Sequence, residues 1–463
     1  MSGGPATGRV HADVDADVPM SLREEWKRLF VLAYPITLAQ VGLMSLHLVD
    51  TAIVGKTSVD DLAGVALGRS LAFLTVAFGM GVPLSLEALA TQAFGAGERE
   101  TAWAALLGAL RASLLVWVPI SLVAVLLGAV LVPLGVEAPV AKRALLFLVA
   151  NVPGALGFLV FLTAKTYLQA QGRTTPALVA ALVANVFNFL ACMLLVRGDD
   201  ALAAVGLPAM GAPKLGALGA GLASSLASLL LAGLTLRAAW LLKPTRKVTP
   251  MPVLRVARLG LPIGFQLLAE VGVFSVVAIV AGRLGAQVIG AHQVAISLAS
   301  LTFMIAIGIS GAAAVRVGAA VGQGRSPRRV GYTATALGVS VMALGALTFL
   351  FFPHVLGAPF TNDAEVHRIA VRLLRIAAMF QLFDATQGVL AGALRGAGDV
   401  RLPFLLMLLG YWGLAFPLAL ALAFGLGWGA EGLWWGLSAG LCFVAVALFL
   451  RFHRLTSRPI ARV

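Results

Sequence analysis

The sequence predicts an all-α polytopic membrane protein, with twelve transmembrane helices in two pseudo-symmetric six-helix lobes around a central cavity. Three observations predict this fold class: composition, the length of the apolar runs and an internal repeat. Of the 463 residues, 60% are hydrophobic and 12% are charged, and the mean hydropathy is +0.96. Soluble domains carry about 25% charged residues, so this composition excludes an ordinary soluble protein.

The apolar runs are continuous, as in 114–134 and 402–426, and do not alternate with polar residues. A transmembrane barrel would show that alternation. A continuous run in lipid must satisfy its own backbone hydrogen bonds, which only a helix does. The runs between charged residues and Pro or Gly breaks predict helices at 29–55, 60–92, 102–134, 141–168, 175–197, 215–242, 253–281, 287–320, 329–353, 365–393, 401–426 and 430–452.

The charges predict an orientation in the membrane. Lys and Arg are concentrated in the predicted loops on the side of the N-terminus, which places both termini in the cytoplasm. The net charge of +14 is then explained by the orientation of the chain in the membrane and by contacts of its Lys and Arg side chains with anionic lipid head groups. We therefore expect no nucleic-acid partner. Residues 1–20 lack an apolar core and are expected to be a polar tail, with no cleavable signal peptide.

These patterns divide the chain into five segments around the basic stretch KPTRKVTPMP. The predicted segments are a cytoplasmic polar tail (1–28), an N-terminal six-helix lobe (29–242), a cytoplasmic interlobe linker (243–252), a C-terminal six-helix lobe (253–453) and a cytoplasmic basic tail (454–463).

The two halves repeat at a constant offset of 227 residues. At this offset the helix-breaking residues coincide in the pairs Pro35 and Pro262, Gly55 and Gly282, Gly81 and Gly308, Gly95 and Gly322, and Pro176 and Pro403. Six crossings is an even number, so both lobes enter the membrane in the same sense and their axis is expected along the membrane normal. Duplicated lobes favour transport, because rocking exposes a central site to either side in turn.

Four acidic residues fall inside predicted spans: Asp50, Glu87, Glu270 and Asp384. An ionisable residue at this depth costs about 2.5–3.5 kcal/mol on insertion scales, so each one requires a reason. A desolvated carboxylate that alternates between neutral and charged forms has the chemistry to exchange a proton or Na⁺ for a cationic ligand. For Glu87, packing, gating and substrate contact stay open.

Basic residues near the predicted helix ends have a simpler explanation. Lys165, Arg316 and Arg451 lie within a few turns of those ends, where long side chains reach the interface. We therefore expect them to snorkel.

Polar neighbours place the C-lobe acids on polar helix faces. Gln266 and Glu270 are four residues apart, and Gln381, Asp384 and Gln387 are separated by steps of three, so each set shares one side of its helix. These five residues form the candidate C-lobe site for the coupling cation and the substrate.

The first helix carries a similar face with Gln40, His47 and Asp50. His47 is a candidate for holding or relaying a proton to Asp50, the alternative being a histidine that is only hydrogen-bonded.

Several stretches resemble the multidrug and toxic compound extrusion (MATE) family. They are YPITLAQVGLMSLHLVDTAIVG (34–55), LEALATQAFGAG (86–97), GAHQVAISLASLTFMIAIGISGAAAVRVG (290–318), QLFDATQGVLAGALRGAGD (381–399) and GAEGLWWGL (429–437). Their order and spacing extend the resemblance over about residues 29–453, and the third and fourth stretches are most similar to the NorM branch.

The resemblance implies export of organic cations and amphipathic drugs in exchange for Na⁺ or H⁺. By this resemblance Asp50 matches the N-lobe carboxylate, and Glu270 and Asp384 match C-lobe acids associated with cation coupling. Asn188 and Ser224 match further polar positions of the N-lobe.

Two residues depart from the family pattern and favour H⁺ over Na⁺. Cys192 stands where Asn or Asp is common, and a thiol is a poor ligand for a hard cation. Phe380 stands where Tyr is often found, which removes another oxygen. We therefore expect H⁺ as the coupling ion, with Na⁺ at Glu270 and Asp384 as the alternative, and no other metal or cofactor.

Two other functions are compatible with parts of the sequence. A flippase or exporter of lipid-linked saccharides would line its cavity with Arg and Lys, whereas the deep ionisable residues here are mostly acids. An intramembrane protease is suggested by the G-x-G-D pattern at 396–399, but Asp399 lies between Arg395 and Arg401 in a predicted loop. The sequence contains no H-E-x-x-H, P-loop or G-x-S-x-G motif.

The sequence therefore predicts a secondary active multidrug antiporter that works by alternating access, and no enzyme. Its expected partners are small organic cations and membrane lipids. We expect a monomer in the bacterial inner membrane.

Overall fold

The computed structural model describes residues 21–204, 206, 208 and 211–463, with side chains at all of these except 48 and 204. The predicted polar tail at 1–20 lies outside these residues. The long helices are α1 (Leu22–Val54), α2 (Val59–Gly95), α3 (Arg99–Ala129), α4 (Ala138–Ala170), α5 (Thr175–Arg197), α6 (Gly216–Trp240), α7 (Val253–Arg283), α8 (Ala286–Gly322), α9 (Arg328–Phe351), α10 (Ala364–Gly396), α11 (Arg401–Gly425) and α12 (Gly429–Leu455). Short helices at Asp199–Ala204 and Pro353–Gly357 lie in two of the connections.

Eleven of these helices are long and apolar enough to cross a membrane by length and composition. The other, α10, carries Arg372, Arg375 and Asp384 and packs against α8, α9 and α12. Arg372 and Arg375 are exposed, and Arg372 pairs with Glu431 of α12 at 2.9 Å, whereas Asp384 is buried among the neighbouring helices. The prediction of twelve helices in two lobes is confirmed.

The start of α1 differs from the predicted boundary. The helix begins at Leu22, so residues 22–28, which the sequence placed in the polar tail, are helical. Ser21 and Glu24 form a capping box, in which each side chain accepts a hydrogen bond from the backbone of the other. Glu25 is buried and forms an ion pair with Arg316 of α8 at 2.7 Å. Arg316 is therefore held by α1 rather than snorkelling.

Proline interrupts two of the spans. In α2 the regular helix breaks at Met80 and at Ser85, on either side of Pro83. In α11 wider π-helical turns at Leu409–Ala415 and Ala421–Gly425 flank the segment that holds Pro417. Proline has no backbone N–H and clashes with the preceding turn, which accounts for these breaks.

The predicted interlobe linker docks on the N-terminal lobe. The Met251 N–H donates to the Ala104 carbonyl of α3 at 2.9 Å, and Met251 is buried in the same apolar cluster as Trp103 and Tyr167. The linker thus lies beside the α2–α3 corner.

Glycine contacts show that the two lobes are related by a pseudo-two-fold axis. A Cβ on Gly81 of α2 would collide with the backbone of Gly264 on α7, and a Cβ on Gly308 of α8 would collide with Thr37 on α1. Adding 227 to Gly81 gives Gly308, and adding 227 to Thr37 gives Gly264. The two contacts are therefore images of each other.

The contact between Thr91 and Gly318 lies on this axis. Position 91 plus 227 is position 318, so the two-fold operation exchanges the two residues and leaves their contact in place. A Cβ on Gly318 would lie 2.7 Å from the Thr91 Cβ. Close approach of backbones at small residues is the usual means by which membrane helices pack.

The lobes meet at one end of the bundle, which we call the terminal face and define by the start of α1, the α2–α3 corner, residues 241–252 and the end of α12. Arg462 after α12 reaches Glu98 of the α2–α3 corner at 2.9 Å, and the Val463 N–H donates to the Gln92 side chain at 2.9 Å. A cavity of about 500 Å³ lies between the lobes. Its lining residues Ser275 and Gln293 are exposed, whereas those nearer the terminal face are buried, so the cavity opens away from that face.

Candidate functional site

The central cavity is lined by both lobes, through α1, α2 and α4 on one side and α7, α8, α10 and α11 on the other. Its volume of about 500 Å³ falls within the range of about 300–1,000 Å³ that is typical of small-molecule sites.

The C-lobe wall brings together the acids that the sequence singled out. The Gln387 Nε2 atom donates to Glu270 at 3.3 Å and to Asp384 at 3.2 Å, so both carboxylates share one donor. Gln266 lines the same wall, and its buried Oε1 has no hydrogen-bond partner among the described residues. Gln381 is buried but is not among the residues that line the cavity. Its Oε1 atom lies near Gly345 of α9, and neither of its amide atoms has a hydrogen-bond partner in the described part of the chain.

Tyr411 of α11 is a buried neighbour of Glu270 that sequence reasoning missed. Its buried phenol lies beside Glu270, and its ring packs against Phe274, which in turn contacts Phe380. Its phenol oxygen has no hydrogen-bond partner among the described residues, and Tyr411 is not among the residues that line the cavity. A buried Tyr in an apolar run was the available signal, but nothing in its spacing connects it to Glu270.

The N-lobe carboxylate is enclosed by polar groups from three other helices. Asp50 is 1% exposed and accepts hydrogen bonds from Asn188 of α5 at 2.6 Å and from Ser224 of α6 at 2.8 Å. Arg69 of α2 forms an ion pair with it at 2.9 Å, and the Cys192 thiol lies against the same carboxylate. Asp50 is not among the residues that line the central cavity.

Sequence reasoning missed Arg69, although its depth in the second predicted span was a signal of the same kind as that of the acids. A buried carboxylate needs a partner, and an arginine in a neighbouring span was the natural candidate. Its Nη1 also donates to the His47 carbonyl at 2.7 Å and to Thr51 at 3.2 Å, which fixes the guanidinium against α1.

No hydrogen bond joins the His47 side chain to Asp50 among the described residues, so the predicted relay has no direct contact in this structure. The His47 side chain is exposed, and it is its backbone carbonyl that faces Arg69. Residues 47 and 50 lie only about 60° apart around the helix, but the hydrogen-bond partners of the carboxylate are Arg69, Asn188 and Ser224.

Charged residues form the floor of the cavity near the terminal face. Glu87 of α2 and Arg395 of α10 form a buried ion pair between the lobes at 2.6 Å. Arg395 also donates to Ser310 at 3.3 Å. The Lys165 ammonium donates to Gln40 at 2.5 Å, so the expectation that Lys165 snorkels is wrong.

Asp399 takes part in a contact away from the cavity. It lies in the connection between α10 and α11, as the sequence predicts, and pairs with Arg451 of α12 at 2.5 Å. Arg451 therefore holds this corner in place of snorkelling, and Asp399 lies opposite a cation rather than a second acid.

Comparison with known proteins agrees with the two-lobe arrangement. The MatE family model matches the chain twice, at residues 35–194 and 262–421, and both limits differ by the 227-residue offset of the repeat. The probable multidrug resistance protein NorM of Mesorhizobium japonicum is 34% identical over 96% of this chain and 97% of its own length. The protein of the same name from Pseudomonas putida is 35% identical over 95% of this chain and 96% of its own length.

Solved structures show the same fold. The eukaryotic MATE transporter AtDTX14 superposes with a TM-score of 0.82 at 23% identity, covering 93% of this chain and 96% of that chain. An outward-facing multidrug resistance MATE transporter superposes with a TM-score of 0.81 at 18% identity, covering 94% and 96%. The repeated family match and the full-length relatives at about one third identity show that this chain belongs to the MATE family of membrane transporters, on its NorM-like branch.

Proposed function

We propose that the chain is a secondary active antiporter that exports organic cations or amphipathic drugs in exchange for H⁺ by alternating access. The observation that carries this proposal is the Glu270–Asp384 pair, which lies in the wall of a cavity that both lobes line. The relatives named as multidrug resistance proteins support the same substrate class. As a member of a transporter family the chain is not an enzyme.

Competition at the acid pair supplies the exchange. Two carboxylates that share one donor repel each other when both are charged, and either a proton or an organic cation relieves that repulsion. Protonation removes the charge that attracts the substrate. The exchange drives transport if protons and substrate stabilise different conformations, because a ligand shifts an equilibrium only by its differential affinity.

Asp50 has a different role in this proposal. Its charge is already balanced by Arg69, and it lies outside the cavity lining. We assign it to the packing of α1 against α2, α5 and α6, and we assign coupling to Glu270 and Asp384.

Na⁺ is the second candidate for the coupling ion. The buried Oε1 atoms of Gln266 and Gln387 have no hydrogen-bond partner among the described residues, and both side chains line the wall that holds the acids. Carboxylate and amide oxygens are ligands that hard cations prefer.

One observation supports export of lipid-linked saccharides, the alternative function: the cations Lys165 and Arg395 line the cavity floor, where they could face a pyrophosphate. Arg395 is neutralised by Glu87, which leaves Lys165 to face a pyrophosphate alone. We therefore favour drug export.

We place the terminal face in the cytoplasm of a bacterial inner membrane. The basic connections on that face support this orientation by the positive-inside rule. The cavity of this structure then opens outward, into the space to which the substrate is released.

The test is efflux of a fluorescent organic cation from proteoliposomes, with a pH gradient and a Na⁺ gradient imposed separately. We expect the pH gradient alone to drive efflux, and we expect Glu270→Gln with Asp384→Asn to reduce it at least tenfold. Glu365→Gln, an exposed acid at the start of α10, is the matched control and should be unaffected. Efflux driven only by the Na⁺ gradient would show that Na⁺, and not H⁺, is the coupling ion. Full activity of the double variant would refute the assignment of coupling to Glu270 and Asp384.

A further inference from the structure

Lys165 and Gln169 lie one turn apart on α4, on the cavity floor opposite the C-lobe wall. Lys165 is 4% exposed and Gln169 is 5% exposed, and both line the central cavity. We infer that these two side chains form an anion-binding subsite, which receives the carboxylate or similar anionic group of a dipolar substrate. This inference rests on the proposed function and assigns two residues of the same cavity to the anionic end of a substrate.

Both side chains carry donors that the protein leaves unused. The only side-chain hydrogen bond of the Lys165 ammonium among the described residues goes to a neutral oxygen, the Oε1 atom of Gln40. An ammonium has three N–H groups, so two remain for a ligand or water. The Gln169 Nε2 atom is buried and has no partner in the described part of the chain. Unpaired buried donors are costly, and an anionic group would satisfy them together.

No carboxylate of the described residues forms an ion pair with Lys165. The acid that faces it is Glu87 of α2, and that carboxylate is bound by Arg395 at 2.6 Å. The Phe161 ring, 5.9 Å from the Lys165 nitrogen, provides a weaker contact. The floor therefore holds two cations and one acid, which is a net positive charge.

The opposite wall carries the opposite charge. Glu270 and Asp384 attract the cationic part of a substrate, and Lys165 attracts an anionic part in the same cavity of about 500 Å³. A molecule that carries one cationic and one anionic group can bind the acids with the first and Lys165 with the second. A charged partner also makes a hydrogen bond about twice as strong as a neutral one, so the subsite would discriminate an acid from its ester.

The experiment uses rhodamine 110 and its methyl ester rhodamine 123, which share one cationic ring system and differ in a free carboxylate. Binding of each dye to the purified full-length protein is measured by fluorescence anisotropy. We expect the wild-type protein to bind the acid at least as tightly as the ester. Lys165→Gln should weaken binding of the acid tenfold or more and change binding of the ester less than threefold. Gln169→Leu should have the same selectivity with a smaller effect.

Two further variants make the result specific. Lys165→Arg keeps the charge and should retain binding of the acid, which also shows that position 165 tolerates substitution. Lys56→Gln removes an exposed lysine outside the cavity and should change neither dye. The inference is overturned if the acid fails to bind the wild-type protein, or if Lys165→Gln affects both dyes equally or neither. Proton-driven efflux of the ester reports on the proposed antiport separately, because the ester does not need the subsite.

Discussion

At the scale of single residues, the protein balances buried charge by pairing it across helices. Asp50 and Arg69 form a mixed network with Asn188 and Ser224, in which every oxygen of the carboxylate has a donor. Removing two charges from water costs several kcal/mol each, and only good geometry with additional hydrogen bonds offsets it. Among the described residues the acids of the cavity wall form no ion pair, which leaves them available to mobile cations.

The Asp50–Arg69 pair leads to a stability prediction. Arg69→Gln leaves a buried carboxylate without its cation, and breaking such a pair costs about 3–5 kcal/mol. We expect a marked fall in the Tm of the detergent-purified protein, followed by intrinsic fluorescence. Adding Asp50→Asn to this variant should recover most of the loss, because no charge is then left unpaired.

Arg283→Gln is the control for that experiment, since Arg283 is an exposed arginine at the end of α7. The role given to Arg69 would be contradicted by an unchanged Tm in Arg69→Gln, or by a double variant that is no more stable than Arg69→Gln.

At the scale of elements, the crossing of α2 and α7 depends on the absence of side chains. A Cβ on Gly81 would meet the backbone of both Gly260 and Gly264, and backbone cannot move aside as the end of a flexible side chain can. The two lobes therefore approach closely at this crossing, and the cavity is closed toward the terminal face.

Gly81→Leu should prevent this approach. The substitution raises helix propensity by nearly 1 kcal/mol, so any loss of function comes from the crossing and not from the helix itself. We expect efflux to fall at least tenfold at normal expression. Gly233→Leu on α6 is the matched control, since a Cβ at Gly233 meets nothing within 4 Å. Wild-type efflux by Gly81→Leu would show that the close crossing is not required.

At the scale of the whole molecule, the contacts between the lobes are gathered at the terminal face. They include the ion pairs Glu87–Arg395 and Glu98–Arg462 and the self-symmetric contact of Thr91 with Gly318. Alternating access requires these contacts to break while the other end of the cavity closes. A cross-link between the lobes at this face should therefore trap one state.

Glu98→Cys with Arg462→Cys tests this motion after Cys192 and Cys442, both free, are replaced by Ala. A short bifunctional methanethiosulfonate reagent should join the lobes and stop efflux, and reduction should restore it. Each single-cysteine protein is its own control and should transport under both conditions. Transport by the fully cross-linked protein would show that the terminal face does not open.

Much of the architecture could be predicted from the sequence. The twelve helices and the 227-residue repeat are visible because each lipid-crossing segment must be apolar and must satisfy its own backbone. Part of the C-lobe wall could also be predicted, since Asp384 and Gln387 share one side of a helix and both line the cavity, which Gln381 does not.

Partners on different helices could not be predicted in the same way. Lys165 looked like a snorkelling residue because its distance from a helix end is known from sequence, whereas its burial by α1 and α2 is not. His47 looked like a partner of Asp50 because helical spacing brings them to one side of α1. In the structure, α2 packs against α1 and its Arg69 forms the ion pair with Asp50.

Lipid constrains the composition and length of each span locally, so the amino-acid order alone was enough to predict a duplicated twelve-helix membrane protein with acids at depth. The pairing of the charges follows from the packing of the helices. Glu87 meets Arg395 and Asp50 meets Arg69, while Glu270 and Asp384 are left facing the cavity. The physical reason is that a charge in a membrane is stabilised by whichever group the packing of other helices brings within a few ångströms, and that packing is a property of the whole bundle.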